Sequence, residues 1–124
     1  MRIYIAGTFQ DQKRLREISM AVWSAGHEIT GTWLHETARH EGMSQAEFTR
    51  KLAMKDIAEV YAADLIILDN AQSSGGKNVE WGVALGSFQK KLLWLVGEPS
   101  NVFHHLADKT FPSWESVLVE LEIY

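Results

Sequence analysis

Two acidic side chains sit where an acid is costly unless it has a task. Glu80 lies in "SSGGKNVEWGVAL", residues 73–85, shortly after two adjacent glycines. It falls in the first turn of a helix expected from about Asn78 to Phe88, where free N–H groups and the helix dipole favour negative charge. That placement alone is a common stabilising device. Here Val79, Val83, Ala84 and Leu85 make the helix apolar, and Trp81 crowds the same turn. A carboxylate at the edge of a buried helix, facing a glycine-rich loop, suits a nucleophile or a group that stabilises a developing cation. Asp56 is the second acid. At about 100° per residue it falls inside the apolar arc of its helix, between the directions of Leu52 and Val60. Such a carboxylate needs a partner or a chemical role; capping a loop or pairing with a lysine is the simpler alternative. Two carboxylates converging on one crevice can do glycosyl chemistry, one addressing the anomeric carbon while the other manages the leaving group.

Other chemistries fit less well. A nucleotide-triphosphate loop needs Gly-x-x-x-x-Gly-Lys-Ser/Thr, but Ala71 stands at the first glycine and Asn78 follows Lys77. A carboxylate three residues beyond the lysine would also repel a triphosphate. "AGTFQD", residues 6–11, lacks the Gly-x-Gly-x-x-Gly spacing for a dinucleotide, so no redox cofactor is expected. The chain has no cysteine, which removes thiol nucleophiles and disulfides. His35 lies in a loop that can reach a ligand. His27, His40, His104 and His105 read as surface or loop residues without metal-ligand spacing. Neither a metal nor an organic cofactor is expected. Trp33 is placed to stack on a planar base.

These residues need a scaffold, and the chain supplies one. Its 124 residues suit a single domain spanning residues 1–124. A formal charge of −4 and a pI near 5.7 argue against nucleic acid as a partner. No apolar run approaches the roughly 20 residues of a bilayer crossing, and "MRIYIAGTF" is too short for a secretion signal. A cytoplasmic protein with no membrane partner is the expectation. "RIYIAG", "HEITGTW", "DLIILD" and "KLLWLVG" read as strands, with "KTFPSW" a short fifth. Helices are expected between them: one capped by Asp11 and stopped by Gly26, and one opened by the capping box Ser44/Glu47 and running to about Ala62. The third is the Glu80 helix, and "SWESVLVELEI" is the last. Alternating strands and helices imply an α/β fold, a flavodoxin-like three-layer sandwich around a parallel sheet of about five strands. Such sheets bind ligands beyond the carboxyl ends of their strands. "GTFQ", "GTWLHE" and "DNAQSSGGKN" converge there.

Read together, "IYIAGTF", "KDIAEVYAADLIILD" and "SSGGKNVEWGVALGSFQKKLLWLVG" resemble the nucleoside 2-deoxyribosyltransferase family, including its 2'-deoxynucleoside 5'-monophosphate N-hydrolase branch. The matching positions are Tyr4 with Gly7, then Asp56, then Gly76 with Glu80, Gly82 and Ala84. The resemblance implies that Glu80 attacks C1' of a deoxyribose, that Asp56 assists departure of the base, and that Tyr4 lies against the sugar. It also implies a homodimer or higher oligomer. Where the free-nucleoside branch has an acid six positions before the nucleophile, this chain has Ser74. Ser74 with Gly75 and Gly76 therefore resembles the branch that holds a 5'-phosphate, and Thr8, Phe9 and Gln10 are expected to complete that cradle. "TGTWLHE" and the tail beyond Glu98 carry no match, so the base is not specified. The expected activity is cleavage of the N-glycosidic bond of a 2'-deoxynucleoside or its 5'-monophosphate, by transfer or by hydrolysis. The alternatives are a non-catalytic nucleotide sensor and a glycosyl-cleaving enzyme for ribonucleotides or a nicotinamide dinucleotide.

Overall fold

The structure is a computed structural model that describes residues 1–36, 42–72 and 75–124. Five strands form one sheet: β1 (Arg2–Ala6), β2 (Glu28–Ile29), β3 (Leu65–Asp69), β4 (Leu92–Val96) and β5 (Lys109–Phe111). All neighbours are parallel, in the order β2-β1-β3-β4-β5, which is flavodoxin-like topology. The helices are α1 (Gln12–Ser24), α2 (Gln45–Ala62), α3 (Gly75–Leu85) and α4 (Trp114–Leu121). α1 packs with α4 and α2 with α3, giving the two layers that enclose the sheet. All five residues of β3 are buried, as are Ile3–Ala6 of β1, because helices cover both faces of these central strands. The register Tyr4↔Ile66 and Ala6↔Leu68 aligns the carboxyl ends of β1 and β3 where the strand order reverses.

Local signals account for most boundaries. Gly26, at φ +95°, ends α1 in a conformation that glycine adopts without strain. Ser44 Oγ accepts from Glu47 N at 3.1 Å and opens α2. Asp11 does not cap α1 with its side chain. A 3-10 turn, Phe9–Asp11, precedes the helix, and the Asp11 carboxylate takes the Thr8 hydroxyl at 3.0 Å instead.

Three further expectations are corrected. β2 is only two residues long, and "TWLH" forms a 3-10 helix, Thr32–His35. The edge strand has one neighbour to hold it, and the Glu59 carboxylate draws Thr32 N out of the sheet at 3.2 Å. α3 begins at Gly75, ahead of the expected Asn78. Glycine is a poor helix former, but Lys77 folds back to donate to the carbonyls of Asp69 and Gln72 and anchors the first turn. His27 and His104 are buried rather than superficial. His27 bridges the amino terminus (3.0 Å) and Leu121 O (3.1 Å), while His104 belongs to a 3-10 helix, Val102–Leu106, that periodicity did not signal.

Candidate active site

Side chains alternate along a strand, so β1 sends Tyr4 to the face opposite Ile3 and Ile5, toward α2 and α3. There Tyr4 meets Asp56 from α2 and Glu80 from α3, whose charges both bear on its hydroxyl. Above them opens a cleft of about 200 Å³. Gly7 and Phe9 bound it after β1, Trp33 and Glu36 after β2, Leu52 and Asp56 along α2, and Gly76, Lys77 and Glu80 at the start of α3. Four stretches far apart in the chain thus meet at the carboxyl ends of the strands.

The walls are fixed by hydrogen bonds to the backbone. Trp33 Nε1 donates to Ile5 O at 2.8 Å, and its ring lies 6.4 Å from that of Phe9. Gln12 Nε2 donates to both Trp33 O and Glu36 O at 2.7 Å. At the rim, Lys55 Nζ meets Glu36 Oε1 at 2.5 Å. A Cβ on Gly31 would stand 3.2 Å from two carbons of the Tyr4 ring, so this glycine leaves the tyrosine its place.

The floor is different. Tyr4 Oη, Asp56 Oδ1 and Glu80 Oε2 are shielded from solvent, and none has a hydrogen-bond partner. Each such atom costs about 1–3 kcal/mol, so three in one cleft call for an explanation. Their electrostatics agree. Burial pushes the Glu80 carboxyl up to about 8; the Tyr4 hydroxyl opposes this, and the charges of Asp56 and Glu59 reinforce it. Burial raises Asp56 to about 6, helped by Glu59 and Glu36 and opposed by Lys55. Between these values the pair holds one proton. The arrangement can present a carboxylate and a carboxylic acid together to one reacting centre.

A larger cavity, about 590 Å³, lies on the α1/α4 side, bounded by Arg14, Asp69, Val96, Trp114 and Leu118. Its buried carboxylate is fully engaged. Asp69 accepts from Arg14 Nη1 (3.0 Å), Trp114 Nε1 (2.7 Å) and Ala71 N (3.0 Å), and the donors hold it below the usual carboxylate range against the opposing effect of burial. The smaller cleft, with its orphaned atoms, is the candidate site.

The residues singled out in the sequence divide accordingly. Gly7, Phe9, Trp33, Asp56, Gly76 and Glu80 line the cleft, and Tyr4 lies beneath it. Thr8 is buried with its hydroxyl on Asp11, whereas Gln10, His35 and Gly75 are exposed and outside the lining. Ser74 lies outside the described residues. Glu36, Leu52, Lys77 and the supporting Glu59 were not anticipated. The lysine was visible only as a failed phosphate-loop motif, and nothing local signals that its ammonium turns inward.

With this geometry in hand, known proteins can be set beside it. No family model matches the chain, and no curated protein matches it in sequence. Solved structures share its fold. The 2-deoxyribosyltransferase of Bacillus psychrosaccharolyticus matches with a TM-score of 0.71 at 21% identity, covering 100% of this chain and 92% of that one. The CMP N-glycosidase of Clostridium botulinum matches with a TM-score of 0.60 at 19% identity over the whole of both chains. A conserved protein of Enterococcus faecalis gives 0.73 at 13% identity, covering 99% and 98%. The chain is similar in fold to these proteins.

Proposed function

We propose that the cleft cleaves the N-glycosidic bond of a 2'-deoxynucleoside or its 5'-monophosphate. The observation that carries this reading is the set of three unpartnered buried polar atoms, on Tyr4, Asp56 and Glu80, around one crevice. N-glycosidase and 2-deoxyribosyltransferase, the activities named for two proteins of this fold, break the same kind of bond.

The reaction runs in two displacements. An oxygen of ionised Glu80 attacks C1' from one face. The C1'–N bond breaks, its electron pair passes to the base nitrogen, and Asp56 supplies the proton that neutralises the departing base. In the second half, water or another base attacks C1', the Asp56 carboxylate takes the proton from that nucleophile, and Glu80 leaves as carboxylate. Tyr4 stands against the sugar close to C2', where its bulk disfavours a 2'-hydroxyl. Phe9 and Trp33 border the base. The N–H group of Gly76, which lines the cleft near the start of α3, suits a phosphate at the 5' end.

A second copy of the chain fits the outer face of α2 and α3. Of the 18 residues of α2 only Val60 is buried; Met54, Ile57 and Tyr61 recur at helical spacing as exposed apolar side chains, and Val79 of α3 is exposed as well. Sedimentation should therefore show a homodimer or larger assembly.

Incubation with each deoxynucleoside and its 5'-monophosphate, with and without a second base, tests the reaction. Free base alone identifies hydrolysis, and an exchanged nucleoside identifies transfer. Binding without cleavage would instead make the protein a nucleotide sensor, and release of base from ribonucleotides would overturn the deoxy preference. Glu80→Ala should remove turnover while the protein stays folded.

A further inference from the structure

We propose that His104, held as the neutral Nε2–H tautomer, is a positioning residue that orients the start of α3 and so aims Glu80 into the cleft. The consequence for activity rests on the reaction proposed above; the structural part does not.

The segment after β4 is tied both to Asn70, just after β3, and to the first turn of α3. Gly97 turns at φ +104° against the backbone of Asn70. Asn70, at the start of the connection, donates from Nδ2 to Glu98 O at 2.5 Å and to Ser100 Oγ at 3.1 Å. His104, wholly buried, reaches the other end: its Nε2 lies 2.8 Å from Asn78 Oδ1 in the first turn of α3. One turn further on, Trp81 Nε1 donates to Phe103 O at 2.9 Å, and its ring meets the imidazole edge-on with centroids 5.9 Å apart.

The tautomer follows from the partners. Ser100 N donates to Nδ1 at 3.0 Å, so that nitrogen carries the lone pair and the proton sits on Nε2, pointing at the Asn78 oxygen. Asn101 holds the ring from below. Its Oδ1 accepts from Phe103 N (2.8 Å) and His104 N (3.1 Å); its Nδ2 lies 3.2 Å from Nε2 but, with that nitrogen protonated, donates to the same Asn78 oxygen at 3.3 Å. Burial disfavours the imidazolium, and Lys77 and His105 add repulsion, which keeps the ring neutral. Glu80 lies two residues past Asn78, so the rotation of this turn sets where the carboxyl points. A misplacement of about 1 Å in such a group can lower a rate about 100-fold.

The test uses the full chain. Nitrogen-15 NMR of the histidines should show His104 as a neutral ring with protonated Nε2 near pH 7; an Nδ1–H tautomer or an imidazolium would overturn the assignment. In His104→Ala, amide exchange in residues 77–81 should quicken about 10-fold or more while that of α1 and α4 stays unchanged. Its kcat should fall about 10- to 100-fold with KM nearly constant. His104→Gln, which keeps a donor toward Asn78, should recover much of both losses. Exchange and kcat both at wild-type values in His104→Ala would refute the proposal, as would an equal loss of protection throughout the protein. A wild-type chain inert toward every deoxynucleoside would refute the reaction alone, because the tautomer and the exchange data still decide the role of His104.

Discussion

Replacing Glu80 with glutamine should stabilise the protein in alkaline solution while removing the proposed activity. Burial, augmented by Asp56 and Glu59, moves the carboxyl from an ordinary 4.5 to about 8. The native state therefore holds this proton more tightly than the unfolded chain does. Stability from the group is complete below about pH 4.5, declines as the pH rises, and is lost above about pH 8. At 1.36 kcal/mol per tenfold change the whole interval corresponds to about 5 kcal/mol. Because the proton is shared with Asp56 and the cleft is partly open, about 2–3 kcal/mol is the expected difference. Glutamine stays neutral at every pH and keeps nearly the same shape. Urea unfolding followed by tryptophan fluorescence should give similar midpoints for the two proteins near pH 5. Near pH 9 the variant should unfold at a urea concentration about 1–2 M higher, with unchanged m. Stability curves that run parallel from acid to alkaline pH would refute the reasoning, because the Glu80 carboxyl would then titrate alike in the folded and unfolded chain.

Three further outcomes follow from the same geometry. kcat/KM should trace a bell between about 6 and 8: below it no carboxylate remains to attack, and above it no proton remains for the base. A monotonic profile would break the pairing of Asp56 with Glu80. Tyr4→Phe removes a buried hydroxyl without a hydrogen-bond partner, so melting should show a change within about 1 kcal/mol. The hydroxyl favours ionised Glu80, so its loss should move the alkaline limb of that variant's profile upward. Gly31→Ala places a methyl 3.2 Å from the Tyr4 ring and 3.3 Å from Trp33, between side chains that have little room to retreat. It should cost about 1–3 kcal/mol in denaturation and lower kcat/KM through displacement of Tyr4.

Much of this architecture is legible in the residues because it rests on local rules. "DLIILD" is apolar throughout because both faces of β3 are covered, and Ser44 and Gly26 mark helix ends by capping chemistry that acts within a few residues. Helical phase likewise placed Asp56 on the inner arc of α2. The errors fall where a distant group overrides a local preference. Thr32 leaves the β2 direction because Glu59, 27 residues away, takes its N–H. Gly75 and Gly76 enter α3 because Lys77 is anchored on Asp69 and Gln72. His104 looks superficial in "NVFHHLADK" because its partners, Asn78 and Ser100, come from a different element and from a turn without periodicity.

The protonation of the cleft was beyond any such reading, and it changes how the proposed mechanism must start. Sequence placement alone makes Glu80 an ionised acid at a helix start, since the dipole favours charge there. The folded surroundings reverse this: α3 begins at Gly75, so Glu80 lies beyond its first turn, desolvation outweighs the Tyr4 hydroxyl, and at neutral pH the proton that the pair holds rests mainly on Glu80. A carboxyl in that state cannot act as the proposed nucleophile. In the proposed reaction the proton must pass toward Asp56 or the base as positive charge develops on C1', and that same charge lowers the affinity of Glu80 for its proton. A proton held on the proposed nucleophile keeps two neighbouring carboxylates from repelling each other. In the proposed reaction, a sugar that enters the cleft then converts one proton shared by two acids into a division of labour between them.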